Sequence, residues 1–315
     1  MSNPNILITG ITGFVGKYLR QHLEKNGNEV SGITQSPNKT EDRIFLADIT
    51  DLSSLEAVFQ KVQPNQIYHL AALASPRDSF AMEEAYRRVN IDGTRNLLTA
   101  ASTLQVKPRI LFVSSAEVYG SPDQDQLPIT ENHPINPNNP YAQTKVEAES
   151  IVQEFIKNNG LDICIARPSN HYGAGQEPNF ALPSFAKQIA EIEKGLQKPL
   201  LSTGNLAPKR DFTSVKDVVR AYQLIMEKGK AGEAYNICSG GSKSMEHYLE
   251  VLRSFSGKDI SMEIDPAKLR PSDIMDNRGS HEKLTKATGW NPEVSLEEGL
   301  REVYDFYCNK CRFSP

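Results

Sequence analysis

The chain has 315 residues, 38% of them hydrophobic and 23% charged, enough apolar material to bury a substantial core and too much for a disordered segment. Its net charge of −4 creates no field that would gather nucleic acid or anionic lipid, so an anionic ligand must be held by a few placed Arg and Lys side chains. No apolar stretch approaches the roughly 20 residues that span a bilayer, and the first strand begins with no basic segment and apolar run ahead of it, so a cytoplasmic protein without nucleic-acid or membrane partners is expected.

The apolar run Asn5–Thr9 predicts a strand and Phe14–Asn26 a helix, and Gly10-Ile-Thr-Gly13-Phe-Val-Gly16 falls on the turn between them. Glycines bunched there suit a phosphate cradle. Gly10 allows the tight turn, Gly13 lets the backbone approach a pyrophosphate, and Gly16 lets the helix pack close to the sheet. Glu29–Ile33, Arg43–Ala47, Gln66–Leu70, Arg109–Val113 and Asp162–Arg167 read as further strands, and Leu52–Val62, Met82–Leu104 and Tyr141–Asn159 as further helices. Right-handed crossovers then give an α/β fold, a Rossmann doubly wound parallel sheet of order 3-2-1-4-5-6 with its ligand crevice at the carboxyl ends of the strands.

Residues 1–168 are expected to form this dinucleotide-binding domain. Beyond Pro168 the Gly- and Pro-bearing loops His171–Pro178, Gly195–Arg210 and Asp265–Ser280 mark a smaller lobe, 169–315, devoted mainly to substrate. Val215–Glu227 and Ala234–Cys238 look like a helix and a strand that return to the sheet, so 213–240 is assigned to the first domain. Cys164 and Cys238 read as buried thiols. Cys308-Asn-Lys-Cys311 has no second Cys pair or His pair to complete a zinc site, so no metal is expected.

Two segments refine the cofactor site. Gly32-Ile-Thr34-Gln35-Ser36, at the end of the second strand, lacks the acidic residue that accepts from a ribose 2′-hydroxyl, while Ser36 and Lys39 can reach a 2′-phosphate and no arginine stands in that stretch. A modest preference for NADP(H) follows, with NAD(H) also usable. Asp48 follows the third strand, where it can accept from an adenine amino group, act as a helix N-cap or sit as a solvated loop acid. Leu70-Ala71-Ala72 places small side chains beside the expected pyrophosphate. The expected cofactor contacts are Gly10, Thr12, Gly13, Phe14, Val15, Gly16, Thr34, Ser36, Asp48, Ile49, Leu70, Ala71 and Ala72, together with Tyr141, Lys145 and Arg167.

Tyr141 and Lys145 lie four residues apart on a predicted helix and so share a face. An ammonium there lowers a phenol from about 10 toward neutrality and makes it a usable acid or base; an ordinary exposed helical pair has the same spacing. Ser115, in Ser114-Ser115-Ala-Glu-Val-Tyr119-Gly120 after the fifth strand, can hydrogen-bond the substrate oxygen that Tyr141 protonates, or simply form a turn.

The glycine cradle, His69-Leu-Ala-Ala, the serine before Val118-Tyr-Gly and Tyr141-x-x-x-Lys145 occur in the order of the extended short-chain dehydrogenase/reductases, which the chain resembles over its full length. Its C-terminal half, with Ala166-Arg-Pro-Ser-Asn170-His-Tyr-Gly, Lys209-Arg210-Asp-Phe, Leu269-Arg270-Pro-Ser-Asp and Thr288-Gly-Trp, is similar to the GDP-6-deoxy-D-mannose (GDP-D-rhamnose) reductases, and GDP-mannose 4,6-dehydratases share several of these motifs. The resemblance implies catalysis by Ser115, Tyr141 and Lys145 on a GDP-linked 4-keto-6-deoxy sugar. It also implies a nucleotide diphosphate held by Asn170, Arg210 and Arg270 with Lys187 in support, and a homodimer formed through the helices around 82–104 and 141–159. Arg210 beside Asp211 has a local ion pair as its alternative. Glu117 in Ser115-Ala116-Glu117 is placed at the substrate and keeps a dehydratase reading open, because dehydratases carry a base there; Ala116 offers no proton-transfer group beside it.

Overall fold

The computed structural model describes residues 4–269 and 275–312. Seven parallel strands form the central sheet: β1 (Ile6–Thr9), β2 (Val30–Thr34), β3 (Ile44–Leu46), β4 (Gln66–His69), β5 (Arg109–Val113), β6 (Asp162–Pro168) and β7 (Ala234–Ile237). Their order is β7-β6-β5-β4-β1-β2-β3, the expected arrangement extended by the returning strand β7. Every residue of β1 is buried, since helices cover both faces, and this is why the strand reads as a continuous apolar run and not as an alternating one.

On one face, α2 (Leu52–Val62), α3 (Gly93–Ser102) and α4 (Pro140–Asn159) pack on Leu7, Ile67, Ile110, Phe112 and Ile163. The other face carries α1 (Phe14–Lys25) and, from later in the chain, Val215–Lys228, packed on Ile6, Ile8, Tyr68 and Leu111. A third core belongs to the smaller lobe, where α5 (Ala181–Glu193), α7 (Met245–Arg253) and α8 (Leu296–Arg312) surround Ile189, Leu249 and Val303, Val215–Lys228 being α6. Part of the C-terminal region rejoins the first domain: Leu284 and Trp290 lie in the α1/α6 core, with Trp290 Nε1 donating to the Asp217 carbonyl at 3.0 Å.

The single helix expected over Met82–Leu104 is divided. A turn at Glu83–Arg87 passes through a π-helical segment, Arg88–Asp92, into α3. Asn90 sits in that segment and turns its amide to Leu73, accepting from Leu73 N at 2.9 Å and donating to Leu73 O at 3.0 Å. The widened turn aims this side chain at the β4 exit, a use to which π-bulges are often put. The outer faces expected at a dimer contact carry the ion pairs Arg87–Glu147 (2.8 Å) and Arg95–Glu154 (3.7 Å).

Candidate active site

β1 delivers the chain into a turn that needs glycine. Gly10 has φ +72°, and a Cβ there would lie 3.1 Å from the Ala71 amide nitrogen. At Gly16 a Cβ would fall 2.7 Å from Ile11 Cα, so α1 approaches the turn only because that carbon is missing. Gly13 is the N-cap of α1, whose first turn has neither a side-chain cap nor an acidic residue. The leading N–H groups and the positive helix end therefore face the mouth of the sheet without a protein anion, and a dinucleotide pyrophosphate fits there. Thr9 Oγ1 accepts from Ala71 N at 3.1 Å and pairs with His69 Nδ1 at 2.8 Å, tying Leu70, Ala71 and Ala72 to the same cradle. The ring of Phe14, at the start of α1, stacks on His171 at 6.3 Å, and Val15 is half-buried beside it.

At the β2 exit the Thr12 and Thr34 hydroxyls meet at 3.0 Å, and Thr34 Oγ1 accepts from Ser36 N at 3.1 Å. A cavity of about 470 Å³ opens beside them, lined in part by Thr12, Lys17, Arg20, Lys39 and Glu41. Reading along β2 found Lys39 but no arginine. The structure brings Arg20 from α1, where two carboxylates, Glu24 (2.8 Å) and Glu41, share it.

Three of the expected cofactor residues have partners or tasks within the protein itself. The Ile49 side chain is buried under α3, where it fills the space at Gly93, so only its backbone can face a ligand. Arg167 on β6 is engaged within the protein: Nε and Nη2 donate to the Glu149 carboxylate at 3.0 and 2.6 Å, and Nη1 donates to Tyr119 Oη at 2.8 Å. Asp48 Oδ1 accepts from Thr50 N, Thr50 Oγ1 and Gln35 Nε2 at 2.8 to 2.9 Å, which holds the β3 exit turn; Asp51 is the N-cap of α2.

Ser115, Tyr141 and Lys145 converge at the β5 exit. Ser115 is buried and caps the short turn Ala116–Tyr119, its Oγ accepting from Glu117 N at 3.2 Å, so the turn-forming role is real and coexists with a hydrogen bond to Tyr141. Asn139 N-caps α4 by accepting from Ala142 N at 2.9 Å, and Pro140 at the first helical position sets Tyr141 on the inner face. Lys145, one turn on, donates to the Val113 carbonyl at 2.9 Å and lies 5.3 Å over the Phe112 ring. The expectation that Lys145 draws the phenol toward neutrality is corrected. Burial pushes Tyr141 well above its ordinary value, the Ser115 hydrogen bond acts the other way, and Glu117 adds to the rise. Burial also brings Lys145 down to about 8, opposed by Glu149. Burial keeps the phenol protonated but makes it a weaker acid, and the Ser115 hydrogen bond acts against that rise.

Glu117 is half-buried at this site, with Oε2 accepting from Asn139 Nδ2 at 3.1 Å. Of the expected substrate residues, Asn170 lies on a short strand, Asn170–Tyr172, paired in parallel with Phe212–Ser214. Arg210 precedes that pair on Lys209–Arg210, which runs antiparallel to Lys243–Ser244, and its carbonyl accepts from Tyr248 Oη at 2.8 Å. Its neighbour Asp211 is buried and accepts from Ser239 N, Ser239 Oγ and Gly240 N at 2.6 to 3.1 Å, so it braces loops. Lys187 is half-buried on α5 and pairs with Glu191 at 3.4 Å. Arg270 lies outside the described residues. Among the described residues no group of His, Cys, Asp or Glu could hold a metal, and no helix is long and apolar enough to cross a membrane.

Sequence reading passed over Asn139 and Glu149. A signal for Glu149 was present, since Tyr141, Lys145 and Glu149 follow at i, i+4 and i+8 on one helix. For Arg20 no local signal exists, because α1 and the β2 exit meet only in the fold.

The model of the family described as GDP-mannose 4,6 dehydratase matches residues 7–303. The chain is 32% identical to the GDP-6-deoxy-D-mannose reductase of Pseudomonas aeruginosa over 307 residues, 98% of each chain. It is similar to the structure of RMD from Pseudomonas aeruginosa complexed with NADPH, with a TM-score of 0.88, 32% identity and coverage of 97% and 99% of the two chains. It is also similar to the UDP-glucose 4-epimerase of Thermus thermophilus in complex with NAD, with a TM-score of 0.85, 27% identity and coverage of 96% and 98%.

Proposed function

The chain belongs to the GDP-mannose 4,6-dehydratase family within the extended short-chain dehydrogenase/reductases, and from this we propose that it is an NADPH-dependent reductase of the C4 keto group of GDP-4-keto-6-deoxy-D-mannose, yielding GDP-D-rhamnose. The observation that carries the reading is the hydrogen bond between Ser115 and the buried Tyr141 at the β5 exit, on a chain aligned end to end with a reductase. NADPH, when bound at the Gly10–Gly16 cradle, supplies the hydride for C4. Tyr141 donates its proton to the ketone oxygen, and Ser115 hydrogen-bonds that oxygen as negative charge develops. Lys145 holds nicotinamide ribose hydroxyls and keeps a positive charge beside the phenol. Asn170, Arg210 and Arg270 hold the diphosphate, and a homodimer belongs to the same reading.

NADPH is the preferred cofactor because Lys39 and Lys17 line the cavity at Thr12, where the two glutamates, Glu24 and Glu41, are paired with Arg20, and no acidic residue stands at the end of β2. Lys39→Ala is expected to weaken NADPH binding by about threefold to tenfold, the scale of one exposed phosphate contact, with NADH affinity unchanged. Fluorescence titration of both cofactors checks this, and an equal loss for both would remove Lys39 from the 2′-phosphate.

A dehydratase reading is kept by Glu117, which lies close enough to Tyr141 to raise its proton affinity. Redox stoichiometry separates the two. A 4,6-dehydratase takes hydride from C4 and returns it at C6, leaving the cofactor unchanged, whereas a reductase consumes it. Given the 4-keto-6-deoxy sugar, the protein is expected to oxidise one NADPH per sugar converted; given GDP-mannose and NADP+ alone, to make no 4-keto product. Glu117→Gln is expected to keep most of the reductase turnover, since its amide can still meet Asn139. Conversion of GDP-mannose without added reductant, lost in that variant, would make Glu117 a dehydratase base.

A further inference from the structure

Behind Lys145 lies a buried ionic assembly that the proposed chemistry does not use. Glu149, one turn beyond Lys145 on α4, is 8% exposed. Its Oε1 accepts from the Ser114 hydroxyl at 2.5 Å and from Arg167 Nε at 3.0 Å, and its Oε2 accepts from Arg167 Nη2 at 2.6 Å. Arg167, also 8% exposed, lies over the Tyr119 ring at 5.1 Å and donates to Tyr119 Oη, which donates in turn to Asn236 Oδ1 at 2.8 Å. The carboxylate is thus held rigidly on the helix that carries Tyr141 and Lys145, and it grips the serine adjoining Ser115.

We infer that Glu149 is a positioning residue that keeps Lys145 cationic beside Tyr141, with Arg167 fixing the carboxylate where it can do so. The titratable and charged groups around Lys145 leave that task to Glu149. His69 on β4 is held neutral, burial and the Lys145 charge bringing it down to about 3. Tyr141 on α4 is protonated, β5 offers the Val113 carbonyl and the Phe112 ring, and the one anion in the turn after it, Glu117, acts on Tyr141 and accepts from Asn139. Arg167 on β6 is a second cation, and its charge is paired with Glu149. Glu149 is the group that raises the proton affinity of Lys145 against its burial. A carboxylate that served only the fold would need Arg167 and Ser114, and nothing would follow for the lysine.

The inference rests on the proposed function only in assigning Lys145 to the nicotinamide ribose, and NADPH binding tests it without any sugar. In the wild type, NADPH affinity is expected to fall as pH rises through the Lys145 pKa, because the neutral amine loses its charge-assisted hydrogen bonds. Glu149→Gln keeps the Ser114 acceptor but removes the charge, so the fall should move about one pH unit or more to lower pH. That variant strands the Arg167 charge and should also melt lower. The double variant Glu149→Gln with Arg167→Met leaves no stranded charge; it is expected to regain melting temperature while the shifted pH dependence persists. Recovery of both stability and the wild-type pH dependence in the double variant would overturn the inference, as would an unshifted pH dependence in a folded Glu149→Gln. Failure of the sugar assignment would show instead as absent turnover of the 4-keto sugar with the pH behaviour of NADPH binding intact.

Discussion

Tyr141→Phe is expected to lower kcat by about 10²- to 10⁴-fold, the span of a positioned general acid. The substitution removes one hydroxyl from a buried ring whose neighbours, Ser115 and the edge-on Tyr86 ring at 6.3 Å, stay in place. Cofactor affinity should stay within about twofold, since the cradle at Gly10–Gly16 and the Lys145 ammonium are untouched. Paired measurements of kcat and NADPH dissociation separate the roles. If turnover survived, the proton would have to come from elsewhere, with Glu117 the nearest alternative; if NADPH binding collapsed as well, the phenol would be holding the cofactor.

The second large effect is expected at Gly16. A Cβ there would sit 2.7 Å from Ile11 Cα and 2.8 Å from the Ile11 carbonyl carbon, both backbone atoms of the glycine turn, so no side chain can swing away to make room. In Gly16→Ala either α1 lifts from the turn or the turn opens, and both move the N–H groups proposed to hold the pyrophosphate. Overpacking of this kind costs about 1–3 kcal/mol, and NADPH should bind at least about tenfold more weakly. Thermal melting with and without NADPH reads both. Wild-type melting together with wild-type binding would show that the turn is not the anion site. Gly27 makes a control, because a Cβ there meets nothing within 4 Å although its φ of +81° adds some backbone strain.

Local periodicity and turn chemistry determined most of the fold. Each of the first six strands matched its apolar run to within a residue or two, and β7 was announced by Ala234–Cys238, because strands covered on both faces must be apolar throughout. The glycine cradle and the Tyr141–Lys145 pair were legible for a similar reason: each depends on spacing within one short segment, which a sequence displays directly. What spacing could not disclose was anything set between segments. The division of the helix at 83–102 follows from Asn90 reaching Leu73, and Arg20 joins Lys39 only because α1 packs over the β2 exit. Arg167 was expected at the cofactor, and only the fold shows its charge paired with Glu149, which comes from a separate segment on α4. The protonation of the site was likewise decided in three dimensions. Helical spacing places an ammonium near the phenol, but removing both groups from water acts on each more strongly than they act on one another, so Tyr141 rises and Lys145 falls. Desolvation depends on every element that closes over a group, and no local stretch of sequence contains that information.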